Sequence, residues 1–152
     1  MTNAQSRVIW LSKTHDWKGH FTANPSETIG GEADGTFVHE GATSQGQLPV
    51  VVGSKGAVVY TTIDRMFPGL EYLLAWYKPE NPSIGITRVY VETGLPGKFV
   101  KMGWNVIEEN LDKSGNTSSY KDDETGATAA AEIKDFGDKA ALVGATFDRI
   151  IG

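Results

Sequence analysis

The residues best equipped for chemistry lie together at positions 15–20, His15-Asp16-Trp17-Lys18-Gly19-His20. Two histidines with an aspartate between them are metal-ligand types, and a zinc site draws on three or four converging donors. On a single strand, residues 15 and 20 have opposite parity and point to opposite faces. Only a turn at Lys18-Gly19 brings them together. The competing reading leaves one histidine on the surface and the other hydrogen-bonded in place. His39 is the third and last histidine, and nothing in the sequence places it nearby. No metal or other cofactor is expected on these grounds.

Catalytic patterns are not legible either. There is no G-x-S-x-G elbow, no phosphate-binding loop and no G-x-G-x-x-G. The composition permits a Ser–His–Asp set, as almost any composition does. The carboxylates at Glu108-Glu109 and Asp122-Asp123-Glu124 read as surface features, the first on a short helix and the second in a solvated loop. The chain is therefore expected not to be an enzyme. Its large, partly polar aromatics are more informative: Trp17, Trp76, Tyr77, Tyr90 and Trp104. Exposed rings on a β scaffold stack on sugars or sit at a lipid headgroup layer. In Leu73-Leu74-Ala75-Trp76-Tyr77, adjacent residues face opposite sides, so if one of Trp76 and Tyr77 is in the core the other faces solvent. The candidate ligand contacts are Asp16, Trp17, His20, Trp76, Tyr77 and Tyr90, with Asp16 accepting hydrogen bonds from hydroxyls.

The elements that must position these residues are mostly strands. Residues 57–92 contain three runs rich in β-branched and aromatic residues, AVVYTT, LEYLLAWYKP and TRVYVE. They suit a pleated, half-buried surface. Pro68-Gly69 and Asn81-Pro82 break the chain between them, so the segment is expected to be an antiparallel meander. Residues 7–12 read as a first strand, 14–21 as an aromatic stretch following it, 24–35 as a loop, and 36–39 as a short strand. Residues 42–47 read as a polar loop and 49–52 as an apolar run. Gly53-Ser54-Lys55-Gly56 reads as a tight turn before the meander. One short helix is expected near residues 105–112. Asn105 would cap it, with Glu108 three residues on as a capping box, and Trp104, Ile107 and Leu111 on one face. Residues 113–126 are polar and expected to be an exposed, mobile loop. Residues 128–136 and 140–151 alternate weakly and read as two closing strands, although the alanines of 127–132 also permit a helix. The expected fold is mainly β: a single-domain antiparallel β-sandwich spanning residues 1–152.

Bulk properties bound the function. A chain of 152 residues is one domain in size and can bury a sizeable core. There is no cysteine, so disulfides and thiolate zinc sites are excluded. The net charge is −5, with 14 basic residues scattered among 19 acidic ones. Nucleic-acid binders carry a basic face, so DNA and RNA are not expected partners. The N-terminal residues lack a signal-peptide apolar core and no run is long enough to span a membrane. A cytoplasmic location follows as the expectation, and Asn116-Thr117-Ser118 then matches the glycosylation triplet by chance. Exposed sheet edges invite pairing, which leaves a homodimer open.

Several of these blocks, in order, resemble the plant jasmonate-induced protein family. They are His15-Asp16-Trp17-x-Gly19-His20, Thr36-Phe37-Val38-His39, Gly56-Ala57-Val58-Val59-Tyr60, Leu74-Ala75-Trp76, Pro79, Val89-Tyr90-x-Glu92, and Asn110-Leu111-x-x-Ser114-Gly115-Asn116-x-Ser118-Ser119. The resemblance covers roughly residues 8–150, without the longer N-terminal extension associated with that family. The AVVY, LAW, P, RVY layout is also similar, more distantly, to the actinoporin-like sandwich of sea-anemone pore formers and fungal fruit-body lectins. The first resemblance implies a stress- or defence-associated plant protein with no catalytic residues to carry over. The second implies a scaffold for membrane lysis or sugar binding. The expected function is a non-enzymatic binding protein with a glycan ligand, lectin-like; the alternative is a membrane-binding or pore-forming protein that takes a lipid headgroup. Six residues ahead of the first strand-like run are few for an amphipathic membrane helix, and an acidic chain gains nothing from anionic lipid.

Overall fold

The structure is a computed structural model and describes residues 1–41, 53–62, 69–81, 83, 85–136 and 140–149. The expected polar loop at 42–47, the apolar run at 49–52, Pro68, Pro82 and the end of the closing strand at 150–151 lie outside the described residues.

Two five-stranded sheets form the body. One has the order β10-β11-β12-β1-β5, built from Thr117–Lys121 (β10), Ala127–Phe136 (β11), Ala140–Arg149 (β12), Thr2–Asn3 (β1) and Ala33–Asp34 (β5). The other has the order β4-β2-β7-β8-β9, built from Thr28–Ile29 (β4), Ile9–Lys18 (β2), Ser54–Thr62 (β7), Glu71–Lys78 (β8) and Arg88–Gly94 (β9). A small hairpin-like sheet pairs His20–Ala23 (β3) with Val38–Glu40 (β6). Lys98–Met102 (α1) and Trp104–Asp112 (α2) follow β9. The expected β-sandwich and central antiparallel meander are present: β7 pairs with β8 and β8 with β9, all antiparallel. One pairing departs from an all-antiparallel arrangement, because β1 runs parallel to β12.

The central strands are more than half-buried. On one face of β7, β8 and β9, Val58, Tyr60, Tyr72, Leu74, Val89 and Val91 pack against Ala129, Ile133, Ala145 and Phe147 of the opposing sheet. On the other face, Ala57, Val59, Leu73 and Ala75 pack against Phe99, Ile107 and Leu111 from the helices. A strand covered on both faces reads as a continuous apolar run rather than an alternating one. The helices thus make a third layer over a two-layer sandwich.

Four sequence expectations are corrected. Gly53-Ser54-Lys55-Gly56 is no tight turn: Ser54, Lys55 and Gly56 already belong to β7 and pair with Lys78, Tyr77 and Trp76. Residues 117–121 of the expected mobile loop form β10, an edge strand paired with β11. Its polar sequence hides an alternation in which only Ser118 and Tyr120 turn partly inward. Within the expected loop at 24–35, two-residue strands form at Thr28–Ile29 and Ala33–Asp34. The expected helix is found, but it begins at Trp104, and Gly103 rather than Asn105 is its cap, with no side-chain cap bond. Glu108 does not reach back to Asn105; it turns to Lys55, 2.8 Å away. The five-residue α1 ahead of it was not expected. The alanines of 127–132 form a strand, and the odd-numbered residues of β12 face inward as the alternation requires.

Candidate functional site

Strand β2 carries the candidate residues. Its pairing with β7 skips Trp17: Asp16 lies opposite Gly56, and Lys18 opposite Lys55. Such a bulge lets consecutive side chains reach the same face. Trp17 packs against the helix-side cluster. Lys18 places its Nζ 5.3 Å from the centroid of the Tyr77 ring, which packs against the same cluster.

Three rings meet on this face. His15 stacks on Trp104 at 4.6 Å with an interplanar angle of 10°. Trp17 meets His15 edge-on at 5.0 Å and Trp104 edge-on at 6.1 Å. The Trp17 indole N–H is buried and finds no acceptor among the described residues, and leaving such a donor unpaired costs about 1–3 kcal/mol. Beside it, Lys55 is 8% exposed, and its Nζ lies 2.8 Å from both Glu108 Oε2 and Asp112 Oδ1. Burial alone would pull the Lys55 pKa down; the two carboxylates outweigh it and hold the ammonium above its ordinary range. The same Nζ lies 4.9 Å from the Tyr77 centroid. Tyr77 therefore has two ammonium groups within cation–π range, one already neutralised by acids and one, Lys18, with no acidic partner among the described residues.

Asp16 faces the other way. Its Oδ1 lies 2.8 Å from His39 Nε2, His39 Nδ1 lies 2.7 Å from Ser54 Oγ, and Trp76 Nε1 donates to Ser54 Oγ at 3.1 Å. The expectation that nothing brings His39 to this region is thus corrected. With Nε2–H donating to Asp16, Nδ1 accepts the Ser54 proton; the tautomer follows from this pattern of partners. The order Ser–His–Asp matches an acid–base relay, but the imidazole is only 1% exposed and packs edge-on against Phe21 and Trp76. A general base must reach the proton it takes from a substrate, and this one is sealed. Burial lowers the His39 pKa, and Asp16 opposes that in part. The chain of bonds acts as a strut that ties β6 to β2 and β7 over Trp76.

The remaining candidates scatter. Trp76 is 2% exposed and stacks on Phe37 at 4.6 Å, so it offers no ring to a ligand. Tyr77 is half-buried on the helix side rather than facing open solvent, because that face is itself covered. Tyr90 lies diagonally beside Tyr77 on the same face, with Ala75 opposite Tyr90 and Arg88 opposite Tyr77. Its hydroxyl donates to the Glu92 carboxylate. Burial and then that carboxylate push the Tyr90 pKa up. His20 is exposed on β3 opposite Glu40. Gly19 redirects the chain between Lys18 and His20 at φ 81°, and a Cβ there would lie 2.1 Å from the Glu40 carbonyl oxygen. His15 and His20 therefore do not converge. No group of three or more His, Asp or Glu side chains able to hold a metal occurs among the described residues.

The arrangement thus unites Trp17 and Tyr77, with Tyr90 adjoining, and separates Asp16, Trp76 and His20. It adds four residues not singled out from the sequence as ligand contacts: His15, Lys18, Lys55 and Trp104. A bulge signal would have identified Lys18, but none is visible in the residue types. Two open depressions lie elsewhere, on the first sheet around Ser119, Ala130 and Thr146; Tyr120, Lys121 and Asp148 also line one of them, and Glu132 the other.

The chain matches the family model for Nakanori-like proteins over residues 1–145. It is 31% identical over 150 residues to a jasmonate-induced protein homolog of Atriplex canescens, covering 97% of this chain and 76% of that protein. The resemblance to jasmonate-induced proteins read from the sequence is therefore borne out. The crystal structure of the lipid-binding protein Nakanori superposes with a TM-score of 0.75 at 22% identity. The match covers 94% of this chain and 65% of that one, so the chain spans about two-thirds of its length. At that identity the likeness shows a shared fold.

Proposed function

We propose that the chain, which belongs to the Nakanori-like family, is a non-enzymatic binding protein whose ligand is a zwitterionic lipid headgroup. The observation that carries this reading is the Lys18–Tyr77 pair: an ammonium with no acidic partner among the described residues, 5.3 Å from an aromatic ring, at a strand end beside Trp17. A zwitterion satisfies both groups at once. Its phosphate accepts from Lys18, a charge-assisted bond, and its ammonium takes the place of Lys18 over the Tyr77 ring. The solved relative is titled a lipid-binding protein, which supports lipid over glycan. So does the burial of Trp76, which removes one of the rings a sugar would stack on. A net charge of −5 disfavours approach to anionic membranes and leaves neutral ones as the target. No described helix is long and apolar enough to cross a membrane.

Binding without lysis is the expected behaviour. Thr2 and Asn3 are paired between β12 and β5, and the fully buried Asn3 amide donates to the carbonyls of Arg7, Ile29 and Gly30. Freeing this segment as a pore-lining helix would break all of these bonds. The test is sedimentation with vesicles of phosphatidylcholine and sphingomyelin, alongside a glycan array and calcein release. Co-sedimentation without dye release is expected; a chain that ignores vesicles and binds a saccharide would overturn the reading.

A further inference from the structure

We propose that Glu108 and Asp112 of α2 receive the cationic end of the headgroup, so that the site prefers a zwitterion to a plain phosphate monoester. This rests on the lipid reading above and adds an acidic pole to it. Four side chains of the site form one transverse row. Lys18 lies opposite Lys55, Lys55 opposite Tyr77, and Tyr77 opposite Arg88. Directly paired residues share a face, and α2 packs on that face through Ile107 and Leu111. The row carries three cations. Arg88 Nη1 donates to the carbonyl oxygen of Ser114, just past α2. Lys55 is held by Glu108 and Asp112, each at 2.8 Å. Lys18 is left to the ring of Tyr77.

One carboxylate would neutralise Lys55, and the fold supplies two. The triad is therefore net negative, and its negative part is the part that meets water: Lys55 is 8% exposed, Glu108 33% and Asp112 52%. The second acid works against the helix that carries it. Glu108 and Asp112 stand four positions apart, where like charges repel. Asp112 is also the last residue of α2, where the helix dipole disfavours an acid, and no basic residue in that turn offsets it. Departures from local preference collect at functional sites. Charge is thus sorted about Tyr77. Lys18 brings a positive pole from β2, and Lys55, 4.9 Å from the ring centroid, sets the ring one ion pair away from both carboxylates. A phosphate bound by Lys18 leaves its attached ammonium over the ring, within the attraction of Glu108 and Asp112. A phosphate monoester offers these acids nothing and is repelled by them.

The experiment titrates soluble phosphocholine and methyl phosphate into the natural chain and its variants, followed by the fluorescence of Trp17 and Trp104, which lie on this face. Asp112→Asn keeps Glu108 as a partner for Lys55 and is expected to weaken phosphocholine about three-fold or more, leaving methyl phosphate unchanged or tighter. Lys55→Met frees both acids and is expected to tighten phosphocholine by a similar factor, a gain that misfolding cannot imitate. Glu109→Gln removes an exposed acid from the same helix that makes no contact with Lys55, and should change neither probe. Unchanged phosphocholine binding in Asp112→Asn, or an equal loss of both probes, overturns the acidic pole and leaves the Lys18–Tyr77 site standing. An effect of Glu109→Gln as large as that of Asp112→Asn means that overall charge decides, and overturns it as well. No response of the natural chain to phosphocholine overturns both readings.

Discussion

The His39 imidazole and the Asp16 carboxylate, 23 positions apart in the chain, stand 2.8 Å from each other and lock β6 onto β2. Burial disfavours the charged ring, so its pKa falls below the ordinary 6.5 despite the carboxylate. A histidine with a lowered folded-state pKa stabilises the fold when neutral, above the unfolded value, and that contribution is lost as the pH falls. The urea midpoint is expected to drop as pH goes from 7 toward 5. In His39→Gln, the drop should shrink. Identical slopes in the two proteins would show that this ring does not report on folding.

Lys55 and its two acids predict an asymmetry. Lys55→Met removes a nearly buried cation and keeps its stem, leaving Glu108 and Asp112 partly in water, 33% and 52% exposed. The pair Glu108→Gln and Asp112→Asn leaves the ammonium buried without charge partners. Breaking a buried pair from the exposed side is the costlier change, about 3 kcal/mol against about 1. Chemical denaturation of both variants checks the order; a reversed order would mean that Lys55 reaches solvent.

The third layer should be stabilising in its own right. Ile107 and Leu111 are 0% exposed against Val59 and Leu73. Either residue replaced by alanine is expected to cost about 2–5 kcal/mol. Losses under about 1 kcal/mol for both would mean that α2 merely rests on the sheet.

Recognition should depend on the ring of Tyr77 and the charge of Lys18. Tyr77→Phe keeps the ring and should keep vesicle binding. Tyr77→Ala and Lys18→Gln should each weaken it about ten-fold, the scale of one well-placed ionic or cation–π contact. Sedimentation at several lipid concentrations measures the effect. Full binding by Tyr77→Ala would remove the proposed headgroup site.

Trp17 offers a separate reading of the same face. Trp17→Phe deletes an indole N–H that has no acceptor among the described residues, so stability should change by less than about 1 kcal/mol. If a headgroup oxygen accepts that N–H, lipid affinity falls nonetheless. A large loss of stability, seen in the denaturation midpoint, would mean that the donor is already paired.

How much was legible follows from which forces are local. The meander, the two closing strands and the helix at its position were readable because β-branched runs, breakers and helical spacing are neighbour-scale signals. Edge strand β10 was not, since a polar strand differs from a loop only in what it pairs with. The turn expected at Gly53-Ser54-Lys55-Gly56 failed for the same reason: its glycines serve close packing, and a Cβ on Gly56 would meet the Trp76 ring at 2.9 Å. Among site residues, the aromatic character of Trp17 and Tyr77 was evident, but their shared face was not.

By itself, the order of residues settled the β class of the fold, the lack of thiol chemistry, and a set of rings available for recognition. Local preference and composition suffice for that. Only the folded arrangement decided that Trp76 is sealed, that His39 belongs to Asp16 and Ser54, and that a bulge at Trp17 turns Lys18 onto Tyr77. Those are pairings across 15 to 60 positions of chain. They are set by strand register and by which faces are covered, and no window of neighbouring residues contains that information.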